Sequence, residues 1–158
     1  MRATVTGMDP TRSHRARREE LLEIYRTARV IAVVGASDDR SKPAGDIPAY
    51  LQSQGYRIIP INPVRETVLG EPARRSLAEV DEPVDVVDVF RPAPEGPGIA
   101  RDAAAIGARV IWFQPGTHSA EATAIGREAG LTVVTRICMG ATHGALGLGP
   151  GPEHGDEA

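Results

Sequence analysis

A short apolar run that ends in a small, flexible turn limits the folds open to this chain. Val30–Val34 reads Val-Ile-Ala-Val-Val and is followed by Gly35-Ala36-Ser37. A continuous apolar run without polar alternation is typical of a parallel strand that is buried on both faces. A glycine turn after such a strand, ahead of a helix, is typical of a loop that binds phosphate groups. The dinucleotide-binding pattern G-x-G-x-x-G has its second glycine where this chain has Ser37, so the loop suits a phosphorylated ligand but not the usual placement of NAD.

Apolar segments alternate with helical patterns along the rest of the chain. Predicted strands cover residues 30–34, 56–61, 84–90, 109–113 and 131–134, and predicted helices cover 19–28, 44–54, 94–106 and 119–129. Strands that alternate with helices of this length predict parallel βαβ units with right-handed crossovers. We therefore expect an α/β fold, a Rossmann-like doubly wound parallel sheet of five or six strands in a single domain, with Val30–Val34 central.

Composition sets the boundaries of this domain and excludes several classes of function. The 158 residues are 41% hydrophobic, which is enough for one soluble domain with a full core. Residues 1–17 are predicted to be a disordered basic leader, residues 18–146 the folded domain, and residues 147–158 a disordered acidic tail. The net charge of −3 gives no argument for nucleic acid or a membrane surface, and no apolar run has the ~20 residues that would span a bilayer.

The thiol and imidazole side chains give no sign of a disulfide or a metal site. Cys138 is the only cysteine, which excludes an internal disulfide and a cysteine-based zinc site. The four histidines are scattered along the chain, so no metal site is expected. A cytoplasmic location is the default expectation.

In a doubly wound sheet, ligands bind beyond the carboxyl ends of the strands, so the residues that follow each strand are the candidates for a site. Cationic side chains recur there, and guanidinium and ammonium groups bind phosphates. The basic residues at this edge are Arg40, Lys42, Arg65 and Arg91.

Three motifs in order resemble those of a known family. The segments are Ile61-Asn62-Pro63, Asp88-Val89-Phe90-Arg91 and Trp112-Phe113-Gln114, and they follow Val-Val-Gly-Ala-Ser. In this order the chain resembles the small stand-alone CoA-binding proteins, which are similar to the CoA-binding domain of succinyl-CoA synthetase α subunits and related acyl-CoA synthetases. The resemblance runs from about residue 30 to residue 143 and implies that the ligand is coenzyme A or an acyl-CoA.

The resemblance also implies a set of ligand-binding residues. It assigns the phosphates to the backbone N–H groups of the loop after the first strand, the adenosine side to the segment after the second, and the adenine to the segment after the third. Arg40 and Lys42 are candidates for the pyrophosphate or the 3′-phosphate, and Gln114 for a further hydrogen bond. The full set is Gly35, Ala36, Ser37, Arg40, Lys42, Asn62, Pro63, Phe90, Arg91, Pro92 and Gln114.

Each assignment has a structural alternative. The loop at Gly35 is also compatible with a tight strand-to-helix turn that holds no ligand, and Asn62-Pro63 with an Asx-Pro turn. Phe90 ends an apolar run and is therefore also a core candidate, while Arg91 suits a surface salt bridge. Arg40 and Lys42 suit solvated charges, and Gln114 suits the cap of a turn.

The C-terminal part of the chain departs from the family pattern. The family commonly has Asp-Arg-Cys and then a helical Glu-His pair, whereas this chain retains Cys138 and His143 but has Arg136, Ile137 and Thr142 at the other positions. A cysteine with a histidine suggests a nucleophile and its base, but a lone cysteine near a sheet edge is more often a small buried apolar residue.

Three functions remain open from the sequence. The first is a non-catalytic CoA-binding protein, with no catalytic residue and no identified protein partner. The second is an NAD(P)-dependent oxidoreductase, which is disfavoured because Asn62 stands where a ribose-binding Asp or Glu is expected. The third is an interaction domain with a vestigial nucleotide site.

Overall fold

A computed structural model describes residues 10–151, and side chains from residue 13 onward. Its helices and strands, in chain order, are α1 (Pro10–Thr27), β1 (Val30–Val34), α2 (Pro43–Ser53), β2 (Arg57–Ile61), β3 (Thr67–Val68), β4 (Glu71–Pro72), β5 (Val86–Val89), α3 (Gly96–Ala105), β6 (Val110–Phe113), α4 (Ala120–Glu128), β7 (Thr132–Val134) and α5 (Met139–Ala145). Two single turns of 3₁₀ helix cover Leu77–Glu79 and Ala93–Glu95.

The main sheet has five strands in the order β2-β1-β5-β6-β7, and every neighbouring pair is parallel. This confirms the predicted doubly wound α/β fold. The expectation that β1 is central is wrong, because β5 occupies the middle position. The chain adds β2 on one side of β1 and then crosses to place β5, β6 and β7 on the other. The strand order therefore reverses between β1 and β5, the usual position of a ligand crevice in such sheets.

Helices cover both faces of the sheet. Trp112 and Phe113 are consecutive residues of β6, and because side chains alternate along a strand they enter opposite cores. The core around Trp112 is packed by α1, α2 and α5, whereas the core around Phe113 is packed by α3 and α4. This arrangement explains why the strands are apolar without alternation.

The first helix starts earlier than the sequence pattern indicated. It begins at Pro10, whereas the apolar spacing predicted residue 19, so residues 10–17 are helical rather than part of a disordered leader. Residues 13–20 are all exposed, and the apolar face begins only at Leu21. An exposed, charged helical turn has no apolar period to detect. The remainder of the predicted leader, residues 1–9, lies outside the described residues.

The C-terminal region is also more ordered than expected. α5 was not predicted, since a seven-residue helix with glycines carries little periodic signal. After it, Leu148 packs against the Trp112 core, and the Gly151 N–H donates to the Gln54 carbonyl. Residues 147–151 therefore have defined positions, and the rest of the predicted tail, residues 152–158, lies outside the described residues.

A small hairpin that the sequence analysis missed leads the chain back to the sheet. β3 and β4 are antiparallel and joined by Leu69 and Gly70, which have φ values of 55° and 74°. Two central residues at positive φ are typical of a type I′ turn, whose usual signal is Asn-Gly rather than Leu-Gly. Beyond the hairpin, Arg74 forms a parallel bridge with Ile61 and so continues the sheet by one residue past β2.

No helix within residues 10–151 has both the length and the apolar character required to cross a membrane.

Candidate functional site

Two depressions flank the carboxyl ends of β1 and β5. The first, about 340 Å³, has the more polar lining of the two, which includes Gly35, Ala36, Ser37, Asn62, Arg75 and Arg91. The second, about 550 Å³, is largely apolar, and its lining includes Lys42, Pro43, Ile47, Phe90, Gln114 and Cys138. We call them the polar depression and the apolar depression. Both lie at the reversal of strand order.

The structure divides the predicted site residues between the two depressions. Phe90 and Arg91 are consecutive, and they line the apolar and the polar depression, respectively. Pro63 joins the lining of the polar depression. Arg40 and Pro92 belong to neither lining: Arg40 is exposed beside Asp46, and Pro92 is an exposed residue at the start of a 3₁₀ turn.

Gly35 is explained by the path of the backbone at this edge of the sheet. Its φ is +90°, and its N–H donates to the Ile61 carbonyl at 3.0 Å. A Cβ at this position would lie 2.9 Å from Arg91 Cδ and 3.2 Å from the Phe90 carbonyl oxygen. The glycine therefore allows the chain after β5 to pass closely over the chain after β1.

The backbone amides after β1 are less available than the resemblance implied. Gly35 N–H is bonded as described, and Ser37 N–H donates to the Ala44 carbonyl at 3.0 Å. No acceptor within residues 10–151 engages the N–H groups of Ala36 and Asp38. These two amides are the donors that the turn can offer to an anion.

A second glycine, which the sequence analysis did not single out, shapes the same loop. A Cβ on Gly45, in the first turn of α2, would collide with the Asp39 carbonyl group and lie 2.9 Å from the Ser37 carbonyl oxygen. Gly45 thus allows the loop to lie directly across the start of α2. The sequence signal was a glycine in the first turn of a helix, where glycine otherwise lowers helix stability.

Asn62 forms the turn that was given as its structural alternative. Its Oδ1 accepts from the N–H groups of Val64 at 2.8 Å and Arg65 at 2.9 Å, which is an Asx turn. Its Nδ2 donates to the Ala36 carbonyl at 3.0 Å. The side chain therefore joins the loops after β1 and β2 and supports one wall of the polar depression.

The cations expected to converge on phosphates are each paired with a nearby carboxylate. The pairs are Arg40–Asp46 at 3.2 Å, Lys42–Asp39 at 3.9 Å, Arg65–Asp38 at 3.2 Å and Arg91–Glu95 at 2.7 Å. Exposed pairs of this kind stabilise a fold by only about 0–1 kcal/mol, so an incoming polyanion can compete for the cations.

Arg75 is the cation at this site that the sequence analysis missed. It lines the polar depression, and within the described residues its guanidinium group makes no ion pair. Its backbone N–H donates to Glu79 Oε2 at 2.9 Å, which orders the turn that carries it. The sequence pattern did not indicate Arg75, because Arg75 follows the hairpin of β3 and β4, which was not predicted, and not a predicted strand.

Below the apolar depression, a buried carboxyl group contacts Gln114. Asp88 on β5 is fully buried, and its Oδ1 accepts from Gln114 Nε2 at 2.6 Å. Burial raises the pKa of Asp88 to about 7. Gln114 is 4% exposed. Its backbone carbonyl oxygen accepts from Thr117 N–H in a turn, while its side chain donates to Asp88.

Sequence comparison places the chain in a family. Residues 29–144 match the CoA binding domain family. The protein YneT of Bacillus subtilis, described only as uncharacterized, is 38% identical over 124 residues, which cover 78% of this chain and 92% of YneT. The chain belongs to the CoA-binding domain family.

Solved structures share this fold, in one case over nearly a whole chain and in another over part of a longer chain. A hypothetical protein from Pyrococcus horikoshii is 32% identical with a TM-score of 0.80, and the match covers 92% of this chain and 99% of that one. A dinucleotide-forming acetyl-coenzyme A synthetase from Ca. Korarchaeum cryptofilum shares the fold at 24% identity and a TM-score of 0.63, over 73% of this chain but 27% of the synthetase. The predicted resemblance to CoA-binding proteins is therefore confirmed.

Cys138 and His143 of this CoA-binding domain do not form a nucleophile–base pair. Cys138 lines the apolar depression, and its Sγ accepts from Ala141 N–H at 3.5 Å as the N-cap of α5. His143 is 1% exposed, and its Nδ1 lies 2.8 Å from Tyr50 Oη. Burial lowers the pKa of His143 and so favours the neutral ring. The imidazole contacts Tyr25, Tyr50 and Tyr56 edge-on.

Proposed function

We propose that this protein binds CoA or an acyl-CoA across the two depressions and acts as a binding protein rather than a catalyst. One observation carries the proposal: consecutive residues, Phe90 and Arg91, line an apolar and a polar depression that share one edge of the sheet. CoA combines a phosphorylated nucleotide with a long uncharged arm, so its two halves have the chemistry of these two surfaces.

The polar depression suits the nucleotide phosphates. The free N–H groups of Ala36 and Asp38 supply backbone donors, and Arg75 supplies a guanidinium with no competing carboxylate among the described residues. Arg91 adds a second guanidinium if a phosphate replaces Glu95 as its partner. Charge-assisted hydrogen bonds of this type are roughly twice as strong as neutral ones.

Asn62 supports CoA over NAD. An NAD site typically has an acidic side chain at the end of the second strand, which binds the ribose hydroxyl groups. In this protein the Asn62 side chain occupies that place, and its amide bonds with the backbone of Ala36, Val64 and Arg65. Asn62 therefore forms a turn, and this position has no carboxylate that could bind a ribose.

The binding role is supported by the state of three groups that could act as acid, base or nucleophile. His143 is buried on Tyr50, away from the depressions. Glu95, the carboxylate in the polar lining, is ion-paired with Arg91, and the Cys138 thiol has no base among its hydrogen-bond partners in the described part of the chain.

Isothermal titration calorimetry on one sample with CoA, acetyl-CoA, NAD and NADP tests the proposal. We expect CoA and acetyl-CoA to bind and the two dinucleotides to bind far more weakly. Arg75→Ala is expected to weaken CoA binding about tenfold, whereas Arg101→Ala, the same change at an exposed position on α3 outside both depressions, leaves it unchanged. Binding of NAD or NADP without CoA would favour an oxidoreductase, and binding of none of the four would favour an interaction domain.

A further inference from the structure

Asp88 is a buried charge-bearing group that the fold alone does not explain. It is fully buried on a strand whose neighbours, Val86, Val87 and Val89, are apolar. Oδ1 has one hydrogen bond, from Gln114, and Oδ2 has no partner within the described residues. A carboxyl group buried with one hydrogen bond lowers stability. Such groups beside a cleft are candidates for a functional role.

The contact with Asp88 determines how Gln114 presents its amide group. Above the pKa of Asp88, the ionised carboxylate only accepts hydrogen bonds, so it holds the Nε2 end of the amide. Oε1 is then the atom left for the apolar depression, which Gln114 lines. No hydrogen bond of the described residues reaches this oxygen.

We propose that Asp88 is a positioning residue, which fixes Gln114 so that Gln114 Oε1 accepts an amide N–H from the uncharged arm of the ligand. The inference rests on the proposed function, because the arm of CoA between its phosphates and its thiol contains two amide groups. It goes beyond that function by assigning the acceptor and the residue that orients it.

The rest of the apolar depression makes this acceptor selective. The other polar groups of its lining already have partners. Thr117 Oγ1 donates to the backbone carbonyl oxygen of Gln114 at 2.8 Å, Cys138 Sγ accepts from Ala141 N–H, and Lys42 is paired with Asp39. A single acceptor in an otherwise apolar wall loses its hydrogen bond to water when an arm without a donor covers it. Such a site rejects ligands that lack the matching N–H group.

The protonation state of Asp88 controls the orientation. Below its pKa, the protonated carboxyl group can donate to Gln114, and the amide can then turn its Nε2 end toward the depression. Tyr25 of α1 faces Asp88. Its burial is the main cause that raises the Tyr25 pKa, and the charge of Asp88 is the second. The phenol therefore stays neutral and donates to the Met139 carbonyl oxygen. From α5, His143 and the Cys138 thiol face Tyr25. No ion pair of the described residues involves Asp88.

The test compares two ligands that differ only by the arm. Titration calorimetry at pH 8 is run on the full chain with CoA and with 3′-phosphoadenosine 5′-diphosphate, which has the same nucleotide and no arm. Gln114→Met removes the acceptor and is expected to weaken CoA binding about tenfold without changing nucleotide binding. Asp88→Asn allows either orientation of the amide and is expected to give a smaller loss, about threefold, with the same ligand dependence. At pH 6 the difference between wild type and Asp88→Asn should shrink.

Gln54→Met is the matched control, because Gln54 is half-buried outside both depressions and, among the described residues, its side-chain amide hydrogen-bonds only with Ser53. It should leave both affinities unchanged. If Gln114→Met does not fold, Asp88→Asn, which keeps the shape of the side chain, decides the question. The proposal is wrong if both variants bind CoA as wild type does, or if each loses affinity equally for the two ligands, which indicates a merely structural role. Failure of wild type to bind CoA would instead refute the proposed function.

Discussion

Replacing Asp88 with asparagine should make the stability of the protein less dependent on pH. The folded protein holds the Asp88 proton up to a pKa of about 7, whereas the ordinary value is 3.8. Between these values the folded state binds a proton that the unfolded state has released. The contribution of Asp88 to stability is therefore fully present below pH 3.8 and is lost as the pH rises through 7.

The magnitude follows from the difference of about three pKa units between the two states. Each unit corresponds to about 1.4 kcal/mol, so the total loss is roughly 4 kcal/mol, of which about 2–3 kcal/mol falls between pH 5 and pH 8. The free energy of unfolding of Asp88→Asn, minus that of wild type, should increase by this amount over that interval.

Urea denaturation at pH 5, 6, 7 and 8 measures this difference, and the fluorescence of the fully buried Trp112 reports unfolding. Because wild type and variant share every other titratable group, their difference isolates Asp88. Asp102→Asn, the same substitution at an exposed position on α3, is the control. A difference between wild type and Asp88→Asn that stays constant within about 0.5 kcal/mol from pH 5 to pH 8 would refute the argument that burial holds the carboxyl group neutral.

Three other perturbations test the site. Gly45→Ala should displace the loop after β1 and so lower both the melting temperature and the CoA affinity. Gly98→Ala is the control, because nothing lies within 4 Å of the Cβ added at this helical glycine. It should stabilise the folded protein by about 0.5–1 kcal/mol, which differential scanning fluorimetry detects as a higher melting temperature. Arg91→Ala and Lys42→Ala should each weaken CoA binding by about 1–3 kcal/mol in calorimetry and hardly change the melting temperature, and unchanged affinities would contradict their role. Wild type incubated with acyl-CoA should release no thiol catalytically; turnover that disappears in Cys138→Ser would make the protein an enzyme.

The sheet was predictable because its signal is local and repeated. β1 begins and ends at the predicted residues, because an arginine and a glycine bound the apolar run and so mark both ends of the strand. The position of β5 at the centre was not predictable from the strands themselves, because strand order depends on the direction of each crossover. The hairpin at Leu69 and Gly70 was missed because its turn chemistry is unusual, and the start of α1 because its first turns have no buried face.

The candidate site was only partly predictable, because the sequence gives the position of a side chain along the chain but not its partner. The order of the strands correctly placed Gly35, Asn62 and Arg91 at one edge. It did not indicate that Glu95, four residues after Arg91, forms an ion pair with it, or that Ser37 N–H is bonded to the start of α2. These are contacts at short sequence separation that form only once the loops are folded.

Asp88 illustrates a different limit. In the sequence it is one of two aspartates in Val-Asp-Val-Val-Asp-Val, and it was used only as part of a segment that carries the family resemblance. In the structure the two aspartates of that segment have opposite environments: Asp85 lies at the amino end of β5 and accepts from the backbone N–H groups of Arg29 and Val30, whereas Asp88 lies inside the sheet with Gln114. Asp85 is explained by the hydrogen bonds that it makes between strands. Asp88 has no such bonds, and a valine in its place would complete an apolar strand. The stability that the carboxyl group costs is therefore best explained by what it does to Gln114 at the edge of the proposed ligand site.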